Sequence, residues 1–246
     1  FIMRPFEQSA SFSPLYQQIK ELILGSLQAG EWQPGQAIPS EMDLAERYKV
    51  SQGTVRKAID ALASENLVVR HQGKGTFVAS HREEAVQYRF LRLVPDDAKE
   101  LILKSKFLSC KEVPANESLA KQFNIKNKDP LILIKRVQSF QGRPVVYESI
   151  YLLATRFKGI TLERLTSWPG PLYGFYETEF ATHMVRAEES IKALGADPLV
   201  AQHLLLEESA PVLQVERRTF TYGNKTVEIR LAHYETKDLH YANDLN

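Results

Sequence analysis

The chain has 246 residues, of which 43% are hydrophobic and 25% are charged, proportions typical of an ordinary soluble globular protein. This length favours two domains over one, and no apolar run approaches the roughly 18 residues needed to span a membrane. The net charge of +1 indicates no particular partner, and a single cysteine, Cys110, excludes an intrachain disulfide. The start of the chain lacks the apolar core of a signal peptide, so a reducing, cytoplasmic location is expected.

Three helices are predicted near the start of the chain. The first spans Pro14 to Leu27, with Ser13 as its N-cap and an apolar face of helical spacing formed by Leu15, Ile19, Leu22 and Ile23. The second begins after Ser40, where Asp43 three residues later completes a near match to a capping box.

The third helix begins at Ser51 and has two chemically different sides. Helical spacing directs one side into a core, and its members are Val55, Ile59 and Leu62. The other side carries Thr54, Arg56, Lys57 and Asp60. Small polar residues at the start of this helix allow its backbone N–H groups to approach a phosphate closely.

A β-hairpin is predicted after the helices. Two β-prone runs, Leu67–His71 and Thr76–Ala79, surround the polar turn Gln72–Gly75. Three helices followed by a hairpin is the order of a winged helix-turn-helix, so residues 1–79 are predicted to form that domain. Glycines on both sides of Lys74 would allow the tip of the wing to lie against DNA.

The charge distribution favours DNA binding more than the net charge does. Between residues 47 and 82 the acids are Asp60 and Glu65, whereas the cations are Arg47, Lys49, Arg56, Lys57, Arg70, Lys74 and Arg82. A basic face of this kind is the electrostatic signature of phosphate contact. The alternative is an ordinary solvated surface. A nucleotide-binding loop at Gly73–Thr76 is excluded, because Val68 stands where that motif needs glycine.

The segment Ile38–Ala79 has the sequence IPSEMDLAERYKVSQGTVRKAIDALASENLVVRHQGKGTFVA. This segment resembles the DNA-binding domain of the GntR family of bacterial transcription regulators. The resemblance implies that the third helix enters the major groove, that the wing contacts the adjoining minor groove and backbone, and that a homodimer binds a near-palindromic operator. Thr54 and Arg56 match family positions that contact DNA, and Lys74 with its two flanking glycines matches the wing tip. The predicted DNA-binding residues are Ser40, Ser51, Gln52, Gly53, Thr54, Arg56, Lys57, Gln72, Gly73, Lys74, Gly75 and Thr76.

Three positions depart from the family pattern. Met42 and Gln52 stand where the family often has arginine, and Gly53 stands where it usually has threonine or serine. Two guanidinium groups that fork onto phosphate or guanine are therefore missing, so the usual family operator is not expected. Gln52 is chemically suited to pair with adenine.

The second half of the chain mixes strands and helices. Residues 80–88 are polar and are predicted to be a linker, and residues 89–246 to be an α+β domain around an antiparallel sheet. The predicted strands are RFLRLV, PLILIKRVQSF, PVVYESIYLL, THMVRAEESIKAL, PVLQVERRTFTY and TVEIRLAHYET, and the predicted helices are NESLAKQFNI, LYGFYETEF and DPLVAQHLLL.

Charged residues recur on strand faces that are otherwise apolar. Arg136 alternates with Ile132, Ile134 and Gln138, and Glu148 with other aliphatic residues. Glu228, Arg230 and Tyr234 share one face of the last hairpin. Buried charges are costly unless paired, so these groups indicate a pocket for a small polar or charged ligand. A structural ion-pair network or a solvated face remains the alternative.

From about Tyr88 onward the chain resembles the UTRA ligand-sensing domain of the HutC-type branch of the GntR family, in IKRVQSFQGRPVVYESIYL, LYGFYETEF and TVEIRLAHYETKDLHY. UTRA domains have a chorismate-lyase-like fold. The resemblance implies an effector pocket lined by Arg136, Glu228 and Tyr234. The predicted effector-binding residues are Arg136, Gln138, Glu148, Glu228, Arg230 and Tyr234.

Two positions bear on the nature of the effector. Gln138 and Pro171 replace a family arginine and serine, which makes a phosphosugar a less suitable effector. The candidate effectors that remain are a small acid, an amine and a histidine-pathway metabolite.

The sequence therefore predicts a dimeric, metabolite-responsive repressor without cofactor or membrane association. An activator or an effector-assisted repressor is the alternative. Residual lyase-like catalysis in the second domain is disfavoured, because a fold does not carry an activity and neither a metal motif nor a nucleophile elbow is present. Cys110 is predicted to be a core residue rather than a nucleophile.

Overall fold

The computed structural model of the protein describes residues 13–80, 92–97 and 101–243. The chain divides into two compact units, residues 1–79 and 80–246. The predicted linker, residues 80–88, lies outside the described residues except for Ser80, which is buried.

The first unit has the predicted winged-helix order. Its elements are α1 (Leu15–Gln28), α2 (Glu41–Tyr48), α3 (Gln52–Ser64), β1 (Val68–His71) and β2 (Gly75–Val78), and the two strands pair antiparallel. The side chains that fill its core include Ile19, Ile23, Leu27, Trp32, Leu44, Val55, Ile59, Leu62, Val68 and Val78. The buried face predicted for the third helix is confirmed.

The predicted apolar face of the first helix was partly wrong. Leu15 and Leu22 are 51% and 52% exposed, whereas Ile19, Ile23 and Leu27 are buried. Ile19, Ile23 and Leu27 form a narrow stripe against α3. Leu22 lies roughly a quarter turn from the centre of that stripe, and Leu15, four residues before Ile19, is the first residue of the helix. Pro14 is the N-cap residue, without a side-chain cap from Ser13.

The caps of α2 and α3 determine where these helices start. In α2 the Ser40 hydroxyl accepts the Asp43 N–H at 3.2 Å while the Asp43 carboxylate accepts the Ser40 N–H at 3.1 Å, which is the predicted capping box. In α3 the Ser51 hydroxyl accepts the Thr54 N–H at 3.2 Å. Starting α3 at this point buries Val55 and leaves the next residue exposed to solvent.

The second unit is an α+β domain, as predicted. Its elements are β3 (Leu93–Pro95), β4 (Lys104–Pro114), α4 (Glu117–Phe123), β5 (Pro130–Phe140), β6 (Arg143–Leu153), α5 (Leu162–Ser167), α6 (Leu172–Phe180), β7 (Arg186–Gly195), α7 (Pro198–Leu204), β8 (Pro211–Thr221), a 3₁₀ turn (Tyr222–Asn224), β9 (Lys225–Tyr234) and β10 (Leu239–Tyr241). Six strands form an antiparallel sheet in the order β4-β5-β6-β9-β8-β7, and β3 pairs with β10.

Several strand predictions differ from the structure. The strand expected from Thr182 begins only at Arg186. Of the strand expected over residues 89–94, residues 89–91 lie outside the described residues, and Leu93 and Val94 belong to β3. Strand β4, which pairs with β5 at the sheet edge, was not predicted. Cys110 lies within β4 and is half-buried.

The two faces of the large sheet pack against different helices. Helices α5 and α6 pack on the face that presents Ile134, Ile150 and Leu152. Helices α4 and α7 pack on the opposite face, which presents Leu131, Val137, Tyr147 and Ile229. Because side chains alternate along a strand, the even-numbered charged residues of β5, β6 and β9 lie on the α5 and α6 side.

Candidate functional site

The start of α3 is an exposed polar surface. Gln52, Gly53, Arg56 and Lys57 are exposed, and Thr54 is partly buried with its hydroxyl 2.9 Å from that of the capping serine. This surface has the composition that a helix needs to lie in a groove of DNA.

Glu41 links three elements of the first unit beneath this surface. Its carboxylate accepts hydrogen bonds from Arg56 Nε at 3.0 Å, from Gln52 Nε2 at 3.2 Å and from Arg70 Nη2 at 3.1 Å. Arg70 also lies 2.9 Å from Asp60. The hydrogen bond from Arg56 is the largest cause that lowers the pKa of Glu41.

Sequence reasoning missed this role of Glu41, because the charge count began at residue 47, beyond the first turn of α2. Folding brings the first residue of α2 beside α3 and β1, so the predicted basic face contains a carboxylate. Arg47 is also paired, with Glu31. Among the described residues, the predicted cations without an ion-pair partner are Lys49, Lys57 and Lys74.

The wing ends in a glycine-flanked turn. Gly73 has φ +73° and Gly75 has φ +111°, a region that side-chain-bearing residues rarely adopt. Lys74 and Gln72 are exposed between and beside them, and Thr76 pairs with Arg70 across the hairpin. The Ser40 side chain, by contrast, is used in the cap of α2.

The second unit contains a cavity of about 640 Å³ on the α5 and α6 side of its sheet. Of the six predicted effector-binding residues, Arg136, Gln138, Glu148, Arg230 and Tyr234 line this cavity, and Glu228 lies fully buried next to Arg230. The other lining residues are Leu103, Ser105, Lys106, Phe107, Leu165, Thr166, Trp168, Pro169, Gly170, Pro171, Leu172, Tyr173, Phe175 and Arg217.

A continuous ion-pair network forms the floor of the cavity. Arg136 and Glu148 lie directly opposite each other on β5 and β6, and Arg136 donates from Nε and Nη2 to Glu148 Oε2 at 2.8 and 2.6 Å. Arg230 Nη1 donates to the second oxygen, Glu148 Oε1, at 3.2 Å. Both oxygens of Glu148 are therefore occupied by guanidinium groups.

The network continues through Glu228 to α6. Arg230 binds Glu228 in a bidentate manner, with Nε and Nη2 at 3.1 and 3.0 Å from the two oxygens. The Tyr173 hydroxyl donates to Glu228 Oε1 at 2.8 Å. Sequence reasoning found these charges, but it missed Tyr173, which comes from a helix.

Arg217 was also missed. It lies on β8 opposite Arg230 and pairs with Glu189 of β7 at 2.5 Å. Its alternation with the buried Val215 and Thr219 was a usable signal, since this pattern is the one that identified Arg136.

The network holds the Glu148 carboxylate ionised. Burial raises the pKa of Glu148, but Arg136 and Arg230 outweigh burial, and the net pKa lies below its ordinary value of 4.5. Burial raises the pKa of Tyr234 to about 12. The floor thus has fixed charges at neutral pH, as a pre-organised binding site requires.

The helix that forms part of the cavity wall also holds the first residue of the second unit. Leu172, Tyr173 and Phe175 of α6 line the cavity. One turn farther, Glu177 Oε2 accepts the hydroxyl of Ser80 at 3.0 Å, and Glu177 Oε1 lies 3.3 Å from His183 Nδ1.

A winged helix joined to a sheet domain with a charged cavity defines a class, the ligand-sensing DNA-binding regulators. Residues 15–78 match the model described as bacterial regulatory proteins, gntR family, and residues 99–240 match the UTRA domain. The chain therefore belongs to the GntR family of bacterial transcription regulators, with a UTRA domain as its second part.

Similar proteins include repressors and a ligand-binding domain. The chain is 27% identical to the mannosyl-D-glycerate transport/metabolism system repressor MngR of Escherichia coli over 93% of this chain and 95% of that protein. It is 26% identical to the histidine utilization repressor of Pseudomonas aeruginosa over 90% of this chain and 87% of that protein.

A solved structure extends this likeness to the second unit. The ligand-binding domain of a GntR-family regulator from Bordetella bronchiseptica is 39% identical to this chain and superimposes with a TM-score of 0.63. The match covers 65% of this chain and 99% of that domain. The protein is thus a GntR-family transcriptional regulator, and its family consists of regulators rather than enzymes. In the described part of the chain, no helix is long and apolar enough to cross a membrane.

We expect Glu148→Gln to lower the free energy of unfolding of the second unit by about 3 kcal/mol at neutral pH, because it leaves Arg136 buried without an anion. The folded-state pKa of Glu148 is depressed, so its stabilisation is fully present above its ordinary pKa and is lost as pH falls through the folded value. The difference between variant and wild type should therefore shrink on acidification.

Urea unfolding at neutral pH and at about pH 3.5 measures this difference. The matched control is Glu216→Gln, an exposed residue next to Arg217 on β8, which should change stability by less than about 0.5 kcal/mol. A Glu148 variant as stable as wild type at neutral pH would show that the network contributes nothing to the fold.

Proposed function

We propose that the protein is a homodimeric repressor that binds a near-palindromic operator and leaves it when a small polar effector fills the cavity. The observation that carries the proposal is the combination, in one chain, of an exposed recognition helix and a cavity floored by fixed charges. Each subunit would read one half-site, as helix-turn-helix dimers do. Since its target is chromosomal DNA, we place the protein in the bacterial cytoplasm.

On the DNA side, α3 would supply base contacts and the wing would supply backbone contacts. Gln52 and Arg56 share the Glu41 carboxylate, which would hold both side chains at the exposed edge of α3. Lys57 and Lys74 would neutralise phosphates, because neither has an anionic partner among the described residues. Gly53 would permit close approach of the helix backbone.

On the effector side, the buried carboxylates would position the ligand rather than react with it. Both oxygens of Glu148 accept from arginine, and its depressed pKa removes it as a proton donor at neutral pH. The names of the relatives refer to mannosyl-glycerate and histidine metabolism. Because these compounds differ chemically, the relatives leave the effector of this chain open.

We further propose that α6 passes the effector signal to the operator-binding unit. Its first turn lines the cavity, and its Glu177 holds Ser80, which follows the wing strand by two residues. A movement of α6 on ligand binding would therefore pull on the chain where the two units join. A coupling free energy of about 1–3 kcal/mol between effector binding and operator binding would be typical.

Operator selection from a random DNA pool should yield a palindromic sequence that binds two chains with steep salt dependence. Arg56→Ala should weaken binding to that operator about tenfold or more, with the fold intact. Lys57→Ala should instead weaken binding to all sequences alike and reduce the salt slope by about one. Fluorescence anisotropy at several salt concentrations measures both effects.

Lys111→Ala, an exposed change in the second unit, is the control and should leave DNA affinity unchanged. Failure to enrich any sequence, or an Arg56 variant with wild-type affinity, would rule out the assignment of α3 as the recognition helix.

Glu177→Gln should leave both operator affinity and effector affinity near wild type while reducing the effect of one on the other about fivefold or more. The reason is that glutamine keeps the size of the side chain but replaces one acceptor by a donor toward Ser80 or His183. Operator affinity is measured with and without the metabolite that a thermal-shift screen identifies.

Glu179→Gln is the matched control, since Glu179 lies on the same helix and pairs outward with Arg164 at 2.5 Å. Full release of the Glu177 variant by the effector would show that the signal takes another route.

A further inference from the structure

Helix α6 carries two buried tyrosines three residues apart, Tyr173 and Tyr176, beside the charged network of the second unit. The Tyr173 hydroxyl donates to Glu228 at 2.8 Å, whereas the Tyr176 hydroxyl has no hydrogen-bond partner in the described part of the chain. We infer that Tyr176 is a second donor for Glu228, which replaces Tyr173 and shifts α6 when the effector fills the cavity. This inference rests on the proposed role of the cavity as the effector site, and it names the event that moves α6.

The Tyr176 hydroxyl is destabilising where it lies. The side chain is fully buried, and its ring packs against Phe157 and Tyr173 at centroid distances of 4.9 and 5.9 Å. A buried donor without a partner has given up its hydrogen bonds to water and gained nothing in return. Phenylalanine would fill the same space without that loss, so the hydroxyl points to a role in a second arrangement of these residues.

Glu228 is the charged group that most strongly affects Tyr176. Burial and, after it, the negative charge of Glu228 raise the pKa of Tyr176 well above its ordinary value of 10. The hydroxyl therefore keeps its proton and remains a donor at neutral pH. Residues three apart lie on the same side of a helix, so the side of α6 that presents Tyr173 to Glu228 also presents Tyr176.

Glu228 has room for a further donor. Its Oε1 accepts from Tyr173 and from Arg230 Nε, while its Oε2 accepts from Arg230 Nη2 as its one donor among the described residues. A carboxylate offers about four acceptor sites, two on each oxygen. Oε2 thus retains a site for Tyr176, and a hydroxyl that donates to an ionised carboxylate forms one of the stronger hydrogen bonds.

The two tyrosines differ in their access to the cavity. Tyr173 is one of the described residues that line it, and Tyr176 is not. An acceptor of the effector that lies against the Tyr173 hydroxyl would withdraw this donor from Glu228. The buried carboxylate would then lack a hydrogen bond, and Tyr176 would supply the replacement.

This exchange requires a movement of α6. Because the Tyr176 ring is packed against Phe157 and Tyr173, its hydroxyl would approach Glu228 through a rotation or shift of the helix rather than through a change of rotamer. Glu177 follows Tyr176 directly and holds Ser80. The exchange therefore gives α6 two discrete positions, and the effector favours the second because it removes a hydrogen bond from the first.

A double-mutant cycle on the full-length chain tests the exchange without any ligand. Tyr173→Phe removes the first donor and Tyr176→Phe the second, and both changes keep the rings. The decrease in the folding equilibrium constant caused by Tyr173→Phe should be about fivefold or more larger when Tyr176→Phe is also present, because the replacement donor is then missing. Tyr176→Phe by itself should leave the constant at or above the wild-type value. Urea unfolding measures the constant for each variant.

Tyr147→Phe is the matched control, because the Tyr147 hydroxyl is also buried without a partner among the described residues but lies on the opposite face of the sheet. Its effect should add to that of Tyr173→Phe. The inference is overturned if the cycle with Tyr176→Phe is equally additive, or if Tyr176→Phe is as destabilising as Tyr173→Phe.

Operator affinity without effector tests the movement of α6. Tyr173→Phe should weaken binding to the selected operator about fivefold or more, because it favours the position that the effector would favour. Adding Tyr176→Phe should restore the affinity to within about twofold of wild type, because neither position then has its donor. Loss of stability as the cause would give the reverse order, since the double variant is the least stable. Wild-type affinity of Tyr173→Phe, or weaker binding still by the double variant, would overturn the inference.

The two measurements separate this inference from the proposed function. A non-additive unfolding cycle in a protein that enriches no operator would support the exchange and contradict the regulator proposal. An additive cycle in a protein that binds its operator normally would contradict the exchange and leave the regulator proposal standing.

Discussion

The buried network of Arg136, Glu148, Arg230 and Glu228 is the constraint on which the second unit depends. Ions removed from water are strongly destabilising unless each is paired and hydrogen-bonded. Here the pairing is imposed by strand register, because Arg136 lies opposite Glu148 and the neighbouring β9 brings Arg230 to the other oxygen of Glu148. A slip of one residue in any of these strands would move its charge to the opposite face. The network therefore specifies the register of these strands as well as the arrangement of charges on the floor of the cavity.

The sequence allowed two interpretations of these charges, a ligand pocket and a structural ion-pair network. Both interpretations apply to the same group of residues. The carboxylates are saturated by arginines, which satisfies the structural requirement. The same arginines, Arg136 and Arg230, line a cavity, which is the geometry of a ligand site. A ligand that binds there approaches a charge pattern already held in place, so little reorganisation opposes binding.

The sequence predicted the elements whose signals are local, and it missed what depends on tertiary contact. The caps at Ser40 and Ser51 and the alternation around Arg136 are local patterns, and they gave the correct helix starts and the correct strand face. Leu15 and Leu22 were assigned to a buried stripe because spacing alone does not say which side of an amphipathic helix meets a partner. Glu41 and Tyr173 were missed for the same reason, since each acts on residues from other elements.

The first unit uses its carboxylate differently from the second. Glu148 is buried and permanently paired, whereas Arg56 and Arg70, the partners of Glu41, are about half-exposed. An exposed pair contributes little to stability and is screened by salt, so phosphate can compete for these arginines at small cost. Under the proposed function, Glu41 would keep Arg56 and Gln52 ordered on the free protein and release them to DNA. The same chemical pair, an arginine and a glutamate, therefore has opposite roles in the two units, and solvent exposure decides which role each pair has.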